Sequence, residues 1–228
     1  MAVNFIYKRF FYPVLFTVAL LIAVFSFTYA LGILRMDVYD MEKTFYFLVL
    51  EDPKLEVASY EAKTEGGAGF LLNHENRDYV ALSVYLKGED GDLACQSILK
   101  KNANSKIIAI NSGKLYMKRD SEKKLAKKIQ GGFNSLYGCI EVLEREISRL
   151  DKGATQQSSG RILLKIADNL LYLSKEYKND FKEFSNVCES SANALYKSVS
   201  EIIYTKDLRY VLCEMSDGFI KLSKEYPL

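Results

Sequence analysis

Between Phe10 and Leu34 the chain runs about 25 residues without a charged side chain, and as a helix rising 1.5 Å per residue that run exceeds a hydrocarbon core of about 30 Å. The segment FFYPVLFTVALLIAVFSFTYALGILRM is flanked by Lys8 and Arg9 on one side and Arg35 on the other, with aromatic residues clustered at headgroup depth. It reads as a signal anchor. Thr28-Tyr29-Ala30 offers a rival reading as a cleavage site, but the apolar region of a cleavable signal spans only about 7–15 residues. Lys8 and Arg9 in the short basic tail favour a cytoplasmic N-terminus, so residues 1–35 are expected to form a cytoplasmic tail and membrane span, with residues 36–228 extracytoplasmic. Pro13 falls in the first turn of the span, where few helix hydrogen bonds are lost.

The remainder is long enough for one large or two small domains. The formal net charge is +2, and setting aside Lys8, Arg9 and Arg35 leaves 28 basic against 29 acidic residues. A body this close to neutral carries no electrostatic footprint for nucleic acid. The lysines between Lys118 and Lys128 form a local exception that reads as a solvated helix face.

Chemistry-bearing constellations are sparse. Cys95, Cys139, Cys188 and Cys213 show no C-x-x-C pair and no cysteine–histidine spacing suited to zinc, so no metal is expected. Cys95, Cys139 and Cys188 fall at apolar positions of helical patterns, where a thiol behaves as a small hydrophobe. His74, the single histidine, lies in the polar stretch Asn73 to Asp78, which reads as a turn and supplies no Ser/His/Asp set. Glu51-Asp52 reads as a helix cap, Glu89-Asp90 as loop, and Glu141, Glu144 and Glu146 as solvated helix positions. Gly66, Gly67 and Gly69 run into a strand rather than opening a helix, which argues for turn geometry and against a phosphate loop. Neither an enzyme nor a cofactor is expected.

The pattern changes near residue 119, which suggests an α+β domain over residues 43–118 and a helical domain over 119–228. Thr44 to Leu50 is a continuous apolar run of strand length, followed by an Asp52-Pro53 helix start. Gly69 to Asn73 and Asp78 to Leu86 read as two strands joined by a turn at Asn76. Gly88 to Asp92 reads as a loop before a second short helix, and Lys106 to Ile110 as a fourth strand, with one more short strand after Asn111-Ser112-Gly113. The order β-α-β-β-α-β is the split ferredoxin-like arrangement, in which two helices cover one sheet face. Strict alternation in the third strand places Tyr79, Ala81, Ser83 and Tyr85 on the other face, beside either Tyr46 and Leu48 or Phe45, Phe47 and Val49. Aromatic rings beside hydroxyls suit a sugar or an extended chain. The competing expectation is that this face packs against the helical domain or a second copy.

The run Thr44 to Leu50, a short helix, Gly66-Gly-Ala-Gly-Phe70, and Asp78 to Tyr85 before an acidic loop and alanine-bearing helix together resemble the SPOR domain. The likeness is to divergent versions in membrane-anchored proteins of Gram-positive sporulating bacteria, and it covers about residues 43–118. It implies a sheet face that binds peptidoglycan glycan strands, in cell division or sporulation, with Tyr79, Ser83, Tyr85 and Tyr46 as the glycan-binding set. The family commonly carries glutamine, an aliphatic residue and Gly-Ser-Phe after its first strand, where this chain has Val49-Leu50 and Glu51-Asp52-Pro53. That departure implies the alternative of a protein-interaction scaffold whose sheet no longer binds glycan.

In the helical region, Leu125, Ile129, Phe133, Leu136, Ile140, Leu143, Ile147 and Leu150 form one amphipathic stripe, interrupted by Gly131, Gly132 and Gly138. A second stripe from Leu163 through Cys188 to Ile202 suggests one very long helix or two with a break near Glu189 to Ser191, and a last helix carries Leu208 to Leu222. Facing stripes predict a bundle, or a coiled-coil-like surface for another protein or a second copy.

Overall fold

The structure, a computed structural model, describes residues 36–39, 42–51, 54–99, 104–118, 123–200 and 202–225, together with Val18, residues 21–23 and Ser26. Most of the expected span, including its flanking charges and Pro13, lies outside the described residues, as does the expected Asp52-Pro53 cap. Among the described residues no helix is long and apolar enough to cross a membrane.

The elements are β1 (Met36–Tyr39), β2 (Thr44–Leu50), α1 (Leu55–Thr64), β3 (Phe70–His74), β4 (Arg77–Tyr85), α2 (Gly88–Leu99), β5 (Ser105–Asn111) and β6 (Leu115–Lys118), then four long helices. These are α3 (Lys123–Asp151), α4 (Gln156–Tyr177), α5 (Lys182–Ser200) and α6 (Thr205–Glu225). The chain is α+β. Strands β2 to β5 form one antiparallel sheet in the order β3-β4-β2-β5, and β1 pairs with β6 in a separate antiparallel ribbon. With α1 and α2 as crossovers, this strand order is that of the split βαβ unit. The β3–β4 turn uses Glu75 and Asn76 at φ 52° and 60°, the paired left-handed residues that suit the right-handed twist of a two-residue hairpin.

Gly88 to Asp92 is the opening of α2, not a loop. A Cβ on Gly88 would lie 3.1 Å from the Tyr46 ring, and one on Gly91 would lie 3.5 Å from the Tyr85 ring and 3.3 Å from Ile107. Two glycines in one turn therefore let the helix rest directly on two strand tyrosines. The local pattern looks like loop because the glycines serve a tertiary approach.

In the helical region α3 runs unbroken through all three of its glycines. It ends on Gly153 at φ 90°, with Ala154 N–H donating to the Arg149 carbonyl and Gly153 N–H to that of Leu150, so the last carbonyls are satisfied by a left-handed cap. Thr155 then caps α4 by accepting from Ser158 N–H. The second stripe is divided between Tyr177 and Phe181, not near Glu189 to Ser191, where α5 is continuous. Tyr177 to Phe181 is a step of four that keeps the stripe in phase, so periodicity alone does not reveal the turn.

One hydrophobic core joins sheet and helices. Phe45, Phe47, Val49, Tyr79, Ala81 and Val84 from the sheet are buried with Phe133, Leu136, Leu208, Leu212, Met215 and Phe219 from α3 and α6. Phe45 meets Phe219 at 5.5 Å and Tyr137 at 6.1 Å between ring centroids. The change of pattern near residue 119 marks a change of secondary structure within a shared core. A smaller cluster of Leu48, Ala58, Ala62, Val80, Leu82 and Cys95 holds α1 and α2 on the opposite face.

Candidate functional site, a cleft on the two-helix face of the sheet

The sheet has no uncovered face among the described residues. Phe45, Phe47 and Val49 are fully buried beneath the bundle, while α1 and α2 overlie Leu48, Val80 and Leu82. The expectation that Tyr79, Ser83, Tyr85 and Tyr46 share one exposed surface is therefore corrected by the geometry.

A β-bulge explains the error in phase. Leu48 pairs with Ser83 but Val49 pairs with Ala81, so Leu82 is an extra residue in β4. An extra residue restarts the side-chain alternation. Before it, Tyr79 and Ala81 face the bundle; after it, Val84 and Leu86 take that side. Tyr85 lies on the α1/α2 side with Leu82, and Ser83 and Tyr46 fall there through their pairing with Leu48 and Tyr85. Tyr79 is 5 % exposed and Ser83 6 %, while Tyr46 and Tyr85 are half-buried. Three of the four predicted residues are thus brought to one face and Tyr79 is turned away from them. Lys106, paired with Glu51 at 2.9 Å, places its ammonium 4.8 Å from the centre of the Tyr79 ring.

Where α1 and α2 splay apart, a cleft of about 660 Å³ opens over Leu48, Leu50 and Leu82, walled by Ala62, Ala94 and Ile98. Its depth follows from small residues. A Cβ on Gly67 would fall 3.0 Å from Leu82 Cδ2 and 3.1 Å from the Ala62 carbonyl, so this turn is packed against the floor without room for a side chain. A second cavity of about 520 Å³ lies between β4, α2, α3 and α6. The two share Ser83, Tyr85 and Arg209.

Arg209 controls the junction. Its guanidinium donates to the Gly66 carbonyl at 2.7 Å, to Thr205 Oγ1 at 3.1 Å and to Asp151 Oδ2 at 2.6 Å, tying the α1–β3 turn to both α3 and α6. Beside it Leu86 N–H donates to Glu144 Oε1 at 2.9 Å, and toward the other end of α6 Ser223 Oγ donates to the Ser112 carbonyl at 2.7 Å. These last two bonds each join the sheet region to a bundle helix. Burial pushes the Tyr85 phenol above its ordinary range, with Ser83 opposing, so the ring presents a neutral hydroxyl. Burial likewise raises the Glu144 carboxyl, opposed by the Leu86 N–H. The glutamates of α3 are not equally solvated: Glu141 is exposed, Glu144 half-buried, and Glu146 is 2 % exposed and held by Arg149 at 2.7 Å.

An apolar floor with a neutral phenol, a hydroxyl and a guanidinium at its junction can hold an apolar group carrying a polar end. It does not assemble a nucleophile with an oriented base. His74 sits at the β3 hairpin beside Glu75, remote in the fold from this cleft. Among the described residues no three histidine, cysteine or acidic side chains are grouped to hold a metal ion. All four cysteines are buried and free, and burial raises the Cys139 thiol to about 11. Arg209 and Glu144 were not singled out as site residues by pattern. The only sequence signal for Arg209 is a cation beside the apolar positions Leu208, Val211 and Leu212 of a helix stripe. Comparison of the chain with protein-family models, with curated proteins and with solved structures finds no match.

Proposed function

We propose that this chain is a single-pass, membrane-anchored protein of the cell envelope whose sheet and bundle form a non-enzymatic protein-interaction body. In this reading the SPOR-like sheet supports the helices and does not read glycan through its bundle-side face. The observation that carries it is the burial of that face: Phe45, Phe47, Val49 and Tyr79 are packed in the core shared with α3 and α6. Opening it would expose several aromatic and aliphatic side chains, each worth about 1.5–3 kcal/mol of burial. The anchor rests on the uncharged run Phe10 to Leu34, in which Val18, Leu21 and Ile22 are each at least half exposed, as side chains that meet lipid would be.

The test uses the full chain. Alkaline carbonate extraction should leave it in the membrane pellet, and a reporter fused after Leu228 should report an extracytoplasmic C-terminus. Detergent-solubilised protein should not cosediment with cell-wall sacculi, whether intact or stripped of stem peptides. Retention that prefers stripped glycan would replace this reading with that of a SPOR-like wall receptor. Release by carbonate would remove the anchor.

A further inference from the structure

We infer that the groove between α3 and α4 is a two-fold docking surface for a second copy of this chain. The groove encloses about 710 Å³ and is mostly apolar. On α3 its wall is the stripe Gly131, Ser135, Gly138 and Val142. On α4 it is Lys165, Asn169, Tyr172 and Glu176, all exposed.

The glycines of α3 divide by what they touch. A Cβ on Gly132 would meet the Tyr177 ring at 2.7 Å, so that glycine is required by the fold. A Cβ on Gly131 or Gly138 would meet nothing within 4 Å among the described residues. Glycine inside a helix lowers stability relative to alanine, and among the described residues nothing calls for it at these two positions. Their effect is to keep the groove open to a close neighbour. Across from them Tyr172 stands 65 % exposed, a large aromatic side chain suited to anchor an interface.

The α4 stripe also specifies what the neighbour is. Lys165, Asn169, Tyr172 and Glu176 are symmetric in sequence about the point midway between Asn169 and Tyr172. A two-fold axis there, perpendicular to α4, runs the partner's stripe antiparallel, setting each Lys165 against a Glu176 and each Asn169 against a Tyr172. Within the chain neither Lys165 nor Glu176 makes an ion pair among the described residues, whereas Lys128 beside Glu176 is occupied by Asp180 at 2.6 Å. Gly131 and Gly138 are centred at a similar level on α3, because the Tyr177 hydroxyl donates to the Lys128 carbonyl and fixes the two helices side by side. A self-complementary patch of this kind is the requirement of an isologous contact. The contact spans about three helical turns, which places it among small, reversible interfaces.

This inference names a partner for the interaction body proposed above. Wall retention tests that body's function, and self-association is read separately. In the full chain in detergent, Asn169→Cys lies beside the axis and should form a disulfide-linked dimer under mild oxidation much faster than Asn193→Cys on α5, which is also exposed but outside the groove. Lys165→Glu replaces two ion pairs with two repulsions and should weaken self-association by about tenfold, measured by sedimentation. Adding Glu176→Lys should restore it. Gly131→Leu, entering open space and thus compatible with folding, should abolish the dimer while leaving the circular dichroism spectrum unchanged. Equal cross-linking at residues 169 and 193, no recovery in the charge-swapped double variant, or a Gly131→Leu protein that dimerises as the parent does would each overturn the inference.

Discussion

On the bundle side of the sheet, Phe45, Phe47 and Val49 have no exposed surface, whereas on the side of α1 and α2, Leu50 and Tyr85 remain partly exposed around a cleft. The same four strands supply both faces, so strand composition does not account for the difference. The coverings do. Helices α3 and α6, 29 and 21 residues long, bring aromatic side chains down onto one face, while α1 and α2, with 10 and 12 residues, meet the other largely through alanines and a cysteine. A sheet face is sealed by the length and side-chain size of what lies across it. In a split βαβ unit the face away from the crossover helices is the one left open, and here the bundle covers it, with a cavity remaining beside Val84 and Leu86.

The largest effect that would sharpen this contrast is expected from Phe47→Ala. Phe47 lies in the shared core, so truncation should destabilise the protein by about 3–5 kcal/mol. In a urea titration, sheet and helix signals should still move together. A bundle that kept its parental midpoint while the sheet melted would separate the two regions and break the comparison.

Arg209→Ala comes next. It removes charge-assisted bonds to Asp151 and the Gly66 carbonyl, and a loss of about 1.5–3 kcal/mol is expected. Hydrogen exchange should rise first at Gly66 to Gly69, where the turn is released from α6. On the cleft side, Leu82→Ala should cost about 2 kcal/mol or less, because the bulge residue already borders open space that can admit water. A cost matching Phe47→Ala would mean that both faces are packed alike.

The smallest effect concerns proton binding at Glu144. Its carboxyl, raised above the ordinary 4.5 by burial, holds a proton in the folded state at pH values where the unfolded chain has released it. The native state binds more protons in that window, so this group's contribution makes stability fall as pH rises from about 4.5 through the folded value. Glu144→Gln keeps an acceptor for Leu86 N–H and removes the titration. The variant's melting temperature should therefore decline less between pH 4.5 and 7 than the parent's. An unchanged slope would assign the pH dependence to other carboxyls.

Much of the architecture was legible because it follows from local periodicity. The run Thr44 to Leu50 is β2 residue for residue, and the apolar stripe from Leu125 to Leu150 lies within α3. The positions expected to be apolar at Cys95, Cys139 and Cys188 are buried. The strand β1 was missed, since Met36 to Tyr39 is short and carries Asp37, and its pairing with β6 is a contact across most of the sheet region. The four tyrosine and serine residues offered as a single surface failed as a set at Leu82, where one added residue reverses the alternation and no residue type announces it.

The sequence by itself determined the strand Thr44 to Leu50, the long amphipathic stripes of the helical region and the uncharged run from Phe10 to Leu34, because these depend on spacing and residue type along the chain. Tertiary structure alone decided which face of the sheet is sealed, that Gly88 and Gly91 open a helix over Tyr46 and Tyr85, and that Gly132 is packed while Gly131 and Gly138 face open space. Those outcomes depend on which surfaces meet. Two glycines adjacent in sequence, or two tyrosines in one strand, become different once one of them is pressed against another element and the other is not.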